Sequence, residues 1–424
     1  METIIKNQIV SFLVDKGILS KHQHAFINKH STASNLLCCV RDWLVGLKSH
    51  SQTDVVYVDF SRAFDSIVHS KLLYKLELYG ITGHLLKWIS TFLSNRLQCV
   101  VVDYCHSSVC DVISGVPQGS VLGPILFLIY INDIDCACCG NTVLQLFADD
   151  AKLYSHIDVG CFSDSLQQSL TKLTRWANDW QLTINVQKCS VLSISAKPAS
   201  LLVNYYINDL SVPRQNFTTD LGVTISFDMS FATHINNIVS KARQRLSVLF
   251  RGFLTRNASV MRQAYITYIR PILEYNSTVW NPDHLYLIDL LEGVQRGFTR
   301  RIPSISCRTY SERLALLNLE PLELRRLRAD LAYYYKIFNN LTPFDPKEVF
   351  LIYTPPVSSR SDTPYLSKPI KATNKTLSLL FYRWTDAWNS LPVSLRLSAS
   401  LPAFKRGLKN IDLSSFLKGC MFLP

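Results

Sequence analysis

The apolar positions of residues 1 to about 50 recur with the spacing of amphipathic helices. Ile5, Ile9 and Phe12 fall on one helical face, and the segment from Ser34 to Leu47 repeats this pattern. The pattern then changes, because Asp54–Phe60, with the sequence DVVYVDF, is a β-branched and aromatic run of strand length. The chain is therefore expected to begin with helices and to enter a buried strand near residue 54.

Between residues 60 and 195 the pattern predicts alternating helices and strands. Helices are expected at about Ser66–Tyr79, His84–Ser94, Ser120–Ile131 and Phe162–Leu182. Strands are expected at Cys99–Tyr104 and Ser107–Ile113, which would pair, and at Val191–Ser195. Val143–Phe147 and Ala151–Tyr154 are short apolar runs on either side of Asp149 and Asp150, which indicates a hairpin with acids at its turn.

The second half of the chain has a helical and basic character. Phe231–Arg251 and Ala258–Tyr275 predict two long helices, whose tyrosines Tyr265 and Tyr268 we expect in the core. Ten basic residues lie between Lys241 and Arg301: Lys241, Arg243, Arg245, Arg251, Arg256, Arg262, Arg270, Arg296, Arg300 and Arg301. Four acids oppose them: Glu274, Asp283, Asp289 and Glu292. Such helices would present a basic face suited to a phosphate backbone, the alternative being a solvated helix face.

The pattern predicts three regions along the chain. A mixed α/β region covers 1–228, a helical basic region covers 229–302, and a helical C-terminal region covers 303–424. The last region contains a Pro- and Ser-rich linker at 354–369 and helix-like pieces around Trp384 and Phe404.

Charge narrows the classes of partner. The chain has 424 residues, of which 48% are apolar, and a formal net charge of +12. A globular chain this basic suggests a polyanionic partner, either nucleic acid or an anionic membrane surface, although solubility alone could also explain the charge. The clustering of the excess favours nucleic acid. The apolar run Val121–Ile131 is too short to span a bilayer, and no secretory signal is visible, so we expect a soluble intracellular protein.

Three acids are the candidate chemistry. Asp59 ends the first strand, while Asp149 and Asp150 sit at the turn of the predicted hairpin. Carboxylates on rigid strand ends can converge and hold two Mg²⁺ ions about 3.5–4 Å apart, as nucleotidyl transfer requires. Taken alone, the Asp149-Asp150 pair could be a solvated turn and Asp59 a helix N-cap.

The ordered motifs resemble those of the reverse transcriptases of non-LTR (LINE-type) retrotransposons. They are QHAFINKHST at 23–32, YVDFSRAFDSIVH at 57–69, SGVPQGSVLGPILFLIYINDI at 114–134, LFADDAKLY at 146–154, WQLTINVQKCSVLSIS at 180–195 and LGVTISFDMSFATHI at 221–235. AYITYIRPILEYNSTVWNP at 264–282 and the WNSLP…FK pattern at 388–405 extend the resemblance to nearly the whole chain. It implies a mixed α/β (α+β) right-hand polymerase, with fingers and palm in 1–228 and a thumb in 229–302.

The resemblance also implies roles for individual residues. Asp59, Asp149 and Asp150 fall on the metal-binding acids, so two Mg²⁺ ions are the implied cofactors, for which Mn²⁺ can substitute. At the nucleotide, the resemblance implies a metal-binding backbone carbonyl at Phe60, a ring at Phe64 that would exclude a ribose 2′-hydroxyl, and Lys188 near the triphosphate. Gln118 and Gly119 would lie at the nascent base pair, and Leu221 and Gly222 would form the primer grip. The residues that would bind the nucleic acid are Lys241, Arg243, Arg245 and Arg251. Asp65 and His69 are interpreted as local hydrogen-bonding residues.

Departures from the family pattern leave alternatives open. The chain starts inside the fingers region and lacks an accompanying endonuclease, and Ile27 stands where many relatives carry Arg, with Lys29 and His30 nearby. The leading interpretation is an RNA-directed DNA polymerase acting on an RNA template, a DNA primer and deoxynucleoside triphosphates. The alternative is a truncated, catalytically weak remnant that binds nucleic acid. An RNA-making polymerase is disfavoured by Phe64.

Overall fold

The computed structural model describes residues 1–48, 52–157, 164–195, 203–353, 365–369 and 379–419. The chain divides into two compact units, one formed by Met1–Asn35 with Ser49–Asn216 and the other by Leu36–Lys48 with Phe217–Pro424. This grouping differs from the three predicted regions, because the segment from 217 to 228 belongs with the second unit. The assignment of fingers, palm and thumb to residue ranges stays a prediction.

The first unit mixes helices and strands, as the pattern predicted. Its helices are α1 (Glu2–Asp15), the first turn of α2 (Thr32–Lys48), α3 (His69–Leu78), α4 (Gly83–Leu93), α5 (Gly123–Ile131) and α6 (Ser165–Asp179). Its strands are β1 (Gln52–Val58), β2 (Leu97–Gln98), β3 (Val101–Val102), β4 (Cys105–His106), β5 (Cys110–Asp111), β6 (Val143–Phe147), β7 (Asp150–Ile157), β8 (Ser190–Ile194), β9 (Tyr206–Ile207), β10 (Leu210–Ser211) and β11 (Arg214–Gln215).

Strand β1 runs through the middle of the principal sheet. The five strands follow the order β11-β8-β1-β7-β6, and β1 is antiparallel to both of its neighbours. Val55 and Val56 are fully buried, because this part of the central strand is covered on both faces. The continuous apolar run that predicted this strand therefore reflects burial on both faces.

Helix α5 forms part of the core beneath this sheet. Every residue from Ile125 to Ile131 is buried. This explains the apolar run that was too short for a bilayer, since a helix buried on all sides needs no polar face. Among the described residues, no helix combines the length and apolarity needed to cross a membrane.

Buried Lys75 joins three helices of this unit. Its Nζ donates to the Tyr130 carbonyl oxygen at 2.5 Å and to Asp133 Oδ1 at 2.7 Å, and lies 3.5 Å from the centre of the Trp180 ring. Burial lowers the pKa of Lys75, whereas its bond to Asp133 opposes that shift. The charge is tolerated because carboxylate, carbonyl and aromatic face replace its water.

The second unit is mainly helical. Its strands are β12 (Phe217–Asp220), β13 (Val223–Ser226), β14 (Leu351–Tyr353) and β15 (Tyr365–Ser367). Its helices are α7 (Ala232–Gly252), α8 (Ala258–Tyr268), α9 (Arg270–Glu274), α10 (Ser277–Trp280), α11 (Leu285–Arg300), α12 (Tyr310–Leu316), α13 (Leu322–Phe338), α14 (Pro346–Val349), α15 (Leu380–Arg383), α16 (Thr385–Ser390), α17 (Val393–Arg396) and α18 (Leu401–Lys409), together with the rest of α2.

Two predictions for this unit need correction. The single helix expected at Ala258–Tyr275 is broken into α8 and α9 at Ile269, because Pro271 has no N–H and its ring disfavours a continuous helix. The predicted linker at 354–369 is partly a strand, since Tyr365–Ser367 pairs with Leu351–Tyr353. Residues 354–364 of that linker lie outside the described residues.

Candidate active site

The first strand brings Asp59 to the hairpin that carries the other two acids. In the β1–β7 ladder Val58 is paired with Ala151, so the next residue, Asp59, lies beside the start of β7 at Asp150. Antiparallel partners have Cα atoms about 4.5–5.5 Å apart. Asp59 and the Asp149-Asp150 pair, which are distant in sequence, therefore lie at the same end of the sheet.

The acids sit on a tight two-residue turn. Phe147 pairs with Asp150, which leaves Ala148 and Asp149 as the turn residues between β6 and β7. Ala148 has a φ of 55°, in the left-handed region that usually takes Gly or Asn in hairpins of this length. Such backbone strain is characteristic of positions whose geometry matters for function.

The carboxylates of Asp59 and Asp149 create a negatively charged site that would favour a cation. Burial raises the pKa of the Asp149 carboxyl, and the nearby Asp59 carboxylate raises it further. Lys188 contributes one positive charge, with its Nζ 3.8 Å from Asp59 Oδ2. That distance is too long for a hydrogen bond. Asp59 and Lys188 are held in register because Asn185 N donates to the Asp59 carbonyl oxygen at 2.8 Å.

The donor set fits a divalent metal. The Oδ2 atom of Asp59 is buried and accepts no hydrogen bond in the described part of the chain. Lys188 is the cation beside this oxygen at 3.8 Å, and a divalent ion bound directly to the oxygen would complete its environment more closely. The described residues contain no group of three His, Cys, Asp or Glu side chains already drawn to metal-binding distance, so the fit rests on Asp59 and Asp149, with Asp150 next in the chain.

Phe60 and Phe64 follow Asp59 on the same segment. Phe60 is buried, and the adjacent Asp59 carbonyl and Ser61 N–H bond to residues 185 and 183. Because backbone groups alternate in direction along a strand, the Phe60 carbonyl faces the opposite side, toward β7. Phe64 is half-buried and stacks on Phe127 with ring centres 4.0 Å apart. Its ring thus packs against the buried core residue Phe127.

Gln118 and Gly119 lie on an exposed loop that docks on the segment after Asp59. Gln118 Nε2 donates to Asp65 Oδ1 at 2.8 Å. Gln118 and Asp65 line an open cleft of about 760 Å³ together with Arg62 and Arg96. Gly119 has a φ of 81° and no heavy atom within 4 Å of where a Cβ would stand. In this arrangement Asp65 has the local hydrogen-bonding role that was expected of it.

Leu221 and Gly222 form a second strained turn, in the second unit. They connect β12 to β13, with φ values of 44° and 79°, respectively. Tyr275 Oη donates to the Leu221 carbonyl oxygen at 3.1 Å, and a Cβ on Gly222 would lie 3.0 Å from the Tyr275 ring. These contacts with Tyr275 restrict the turn to one backbone conformation. The four basic residues predicted to bind nucleic acid, Lys241, Arg243, Arg245 and Arg251, are all exposed on α7.

Other basic residues of this region are engaged within the unit. Arg262 donates to the Asn318 carbonyl oxygen, and Arg270 lies 3.7 Å from Glu274. Tyr265 is buried against Phe298, as expected. Tyr268 is 59% exposed, so its predicted place in the core is wrong: α8 ends at that residue. Arg262 and Arg270 are therefore less available for a basic face than the residue count suggested, whereas Arg300 and Arg301 are exposed like the cations of α7.

One residue close to the acids was missed by sequence reasoning. Gln23 contacts Ala148 of the turn between β6 and β7, although 125 residues separate them. Gln23 lies in the QHAFINKHST motif, which was noted only as a match. Its buried position beside the hairpin cannot be read from local periodicity.

Comparisons with known proteins identify the family to which the chain is similar. Residues 1–225 match the family "Reverse transcriptase (RNA-dependent DNA polymerase)". The chain is 27% identical over 312 residues to the probable RNA-directed DNA polymerase from transposon X-element of Drosophila melanogaster, covering 71% of this chain and 34% of the relative. It is 26% identical to the RNA-directed DNA polymerase from mobile element jockey of the same species, over 69% of this chain and 33% of the relative.

The family match covers more than half of the chain, which therefore belongs to the reverse transcriptase family. The predicted resemblance to non-LTR retrotransposon enzymes is confirmed by these relatives. The chain spans about a third of the length of the relatives that it matches. Telomerase from Candida albicans, solved with a telomeric RNA fragment, aligns with 81% of this chain and 52% of its own at 12% identity and a TM-score of 0.41. Reverse transcriptases generally depend on divalent metals.

Proposed function

We propose that the chain is an RNA-directed DNA polymerase of a non-LTR retrotransposon, which extends a DNA 3′-hydroxyl on an RNA template. The observation that carries this proposal is the β1–β7 register, which sets Asp59 beside the Asp149-Asp150 turn. Family membership supports the reaction class. The net charge of +12 supports a nucleic-acid partner.

The three acids would hold two Mg²⁺ ions, or Mn²⁺ in their place. Bound there, the ions would supply Lewis acidity to the attacking 3′-hydroxyl and to the leaving pyrophosphate. Asp59 and Asp149 contribute carboxylate oxygens, and the Phe60 backbone carbonyl offers a further one. Lys188, 3.8 Å from Asp59, neutralises charge on the triphosphate and donates a proton to the departing pyrophosphate.

The remaining residues select and orient the substrates. The Phe64 ring, fixed against Phe127, excludes a 2′-hydroxyl and so favours deoxynucleotides. Gln118 and Gly119 pack against the nascent base pair, where a glycine without a neighbour permits close approach. The Leu221-Gly222 turn holds the primer strand, and the exposed cations of α7 bind the phosphate backbone of the template–primer duplex.

Primer extension tests the proposal. Purified protein is given an RNA template, a recessed DNA primer, deoxynucleotides and Mg²⁺, and the products are resolved by length. We expect DNA synthesis that EDTA stops and that Asp149→Asn abolishes. Asp149→Asn should still bind the template–primer within about twofold of the wild type, since losing one acid does not weaken phosphate contacts.

The matched control is Asp179→Asn. Asp179 is an exposed acid of the same unit at the end of α6, outside the candidate site. This variant should extend primers at the wild-type rate. Tight binding by the wild-type protein without any extension would refute the polymerase proposal and favour the catalytically weak remnant.

A further inference from the structure

The turn that carries the acids has backbone groups that its own hairpin cannot satisfy. In a two-residue turn the ladder bonds are made by the flanking pair, here Phe147 and Asp150. The N–H and the carbonyl of Ala148 are left over, and Ala148 is buried to 7% exposure. Buried backbone groups need partners, so this turn depends on a group from elsewhere in the fold.

Gln23 supplies both partners. Its Oε1 accepts from the Ala148 N–H at 2.9 Å, and its Nε2 donates to the Ala148 carbonyl oxygen at 3.4 Å. The same Oε1 accepts from the Ala25 N–H at 2.8 Å, which fixes the orientation of the amide. Gln23 is only 4% exposed, so water cannot readily replace these bonds.

The backbone around Gln23 is itself anchored to the hairpin. Gln23 forms a parallel bridge with Leu146, the residue two before the turn. His24 N donates to the Leu146 carbonyl oxygen at 3.0 Å, and Leu146 N donates to the His22 carbonyl oxygen at 2.9 Å. The backbone on both sides of Gln23 is therefore hydrogen-bonded to Leu146 of β6, which fixes the position from which the Gln23 side chain extends to the turn.

The bonded carbonyl matters for Asp149. The Ala148 carbonyl and the Asp149 N–H belong to one planar peptide group. Holding that carbonyl fixes the plane from which the Asp149 side chain departs, and thereby the direction of its carboxylate toward Asp59. Ala148 keeps its φ of 55° against the left-handed cost of about 1–2 kcal/mol for a residue with a Cβ.

We propose that Gln23 is a positioning residue for catalysis, which holds the Ala148-Asp149 peptide so that the Asp149 carboxylate faces the metal site. This inference rests on the proposed function for its catalytic consequence. Its structural part, the orientation of a metal-binding carboxylate, can be measured without any reaction.

The test compares Gln23→Leu with the wild type. In single-nucleotide extension at saturating template–primer, the half-saturating Mg²⁺ concentration should rise and kcat should fall, by about 10–100-fold in their combined effect, as is usual when a partner of a metal ligand is lost. The Kd for the template–primer should stay within twofold, because no phosphate contact changes. Gln23→Glu keeps the acceptor and loses the donor, so it should retain the turn only in part.

Gln167→Leu is the matched control. Gln167 makes the same two-point contact with another backbone, donating to the Tyr206 carbonyl oxygen at 3.0 Å and accepting from its N–H at 2.9 Å. Both glutamines belong to the first unit, but only Gln23 touches the catalytic turn. Gln167→Leu should lower thermal stability and leave the metal dependence unchanged.

A second variant separates positioning from a general loss of stability. Glycine adopts a positive φ at no steric cost, so Ala148→Gly should recover at least about threefold of kcat in the Gln23→Leu background. Without recovery, and with the Mg²⁺ dependence of Gln23→Leu equal to that of the wild type, the positioning role is overturned even if the polymerase proposal holds.

A readout without catalysis distinguishes the two failures. The rise in Tm caused by Mn²⁺ reports metal binding in the absence of nucleotides. We expect this rise in the wild type and in Gln167→Leu, and a smaller one in Gln23→Leu. If the wild type extends no primer, the proposed function fails, yet a diminished Mn²⁺ effect in Gln23→Leu still supports the orientation of Asp149. An unchanged Mn²⁺ effect overturns it.

Discussion

Gly115 is the position at which the structure predicts the sharpest loss of stability from a single added carbon. It is buried, has a φ of 83°, and a Cβ placed on it would lie 2.8 Å from both the Cα and the carbonyl oxygen of Asp65. Its N–H donates to the Ile67 carbonyl oxygen at 2.8 Å, and its own carbonyl oxygen lies 2.7 Å from His69 Nε2. The Gly115 backbone is thus bonded on both sides and cannot easily shift to move a new Cβ away from the Asp65 backbone.

Two costs add in Gly115→Ala. A left-handed backbone costs a residue with a Cβ about 1–2 kcal/mol. Overpacking against backbone costs about 1–3 kcal/mol more. Gly119→Ala is the matched control, because Gly119 has a φ of 81° and a Cβ added there would have no heavy atom within 4 Å. It should lose only the first term, so the two variants should differ by about 1–3 kcal/mol in the free energy of unfolding.

Thermal and urea denaturation of the full chain measure this difference. For a unit of this size, about 1–3 kcal/mol corresponds to roughly 2–12 °C in Tm. Hydrogen exchange of the peptides around residues 64–67 and 114–116 should show that the extra opening is local to this contact. If the two alanine variants unfolded within about 0.5 kcal/mol of each other, the close packing of Gly115 on Asp65 would be refuted.

Three further predictions address the acids, the sugar gate and the second turn. Burial and the nearby Asp59 carboxylate raise the pKa of Asp149, so its contribution to stability is present at low pH and is lost as the pH rises through its pKa in the folded protein. Asp149→Asn should therefore stabilise the metal-free protein at about pH 7 but not near pH 4 in urea titrations, and an equal gain in unfolding free energy at the two pH values would contradict this. Phe64→Ala should reduce the preference for deoxynucleotides about tenfold or more in single-nucleotide incorporation, and unchanged selection would remove the role of that ring. Gly222→Ala, crowded by Tyr275, should weaken template–primer binding severalfold in fluorescence anisotropy, whereas wild-type affinity would argue against a primer grip at this turn.

The strands that hold the acids could be predicted because their signals are local. The run DVVYVDF gave β1 within two residues of its observed start, Gln52. The two apolar runs around Asp149 and Asp150 predicted the β6–β7 hairpin in the same way. Apolar side chains of strand length must be buried somewhere, and acids between two such runs have only the turn to occupy.

Boundaries that depend on distant segments could not be predicted. Helix α3 begins at His69, three residues after the expected Ser66, because residues 61–65 form turns. Ser61 N donates to the Thr183 carbonyl oxygen, and Val116 N donates to the Phe64 carbonyl oxygen, so this stretch is shaped by two loops far along the chain. The break between α8 and α9 differs, because Pro271 is a local signal that could have been used.

Burial of polar side chains was equally hidden from the sequence. Lys75 looks like a surface residue of an amphipathic helix, yet it is 1% exposed because Asp133 and Trp180 come from other segments to meet it. Gln23 is hidden in the same way. Periodicity identifies which face of a helix is apolar, but it does not identify a polar group whose partners arrive only with the tertiary fold.

The Ala148-Asp149 and Leu221-Gly222 turns, to which we assign functional roles, are stabilised in the same way. This explains why neither turn consists only of glycine. Ala148 and Leu221 both have a positive φ and a Cβ, and each is bonded at its carbonyl by a side chain from far along the chain, Gln23 and Tyr275, respectively. Glycine would adopt these conformations alone and would also leave them easily. A residue with a Cβ reaches the left-handed region only when its partner has already been placed. The turn therefore becomes ordered together with the fold that surrounds it, and a carboxylate or backbone on it is presented in one direction.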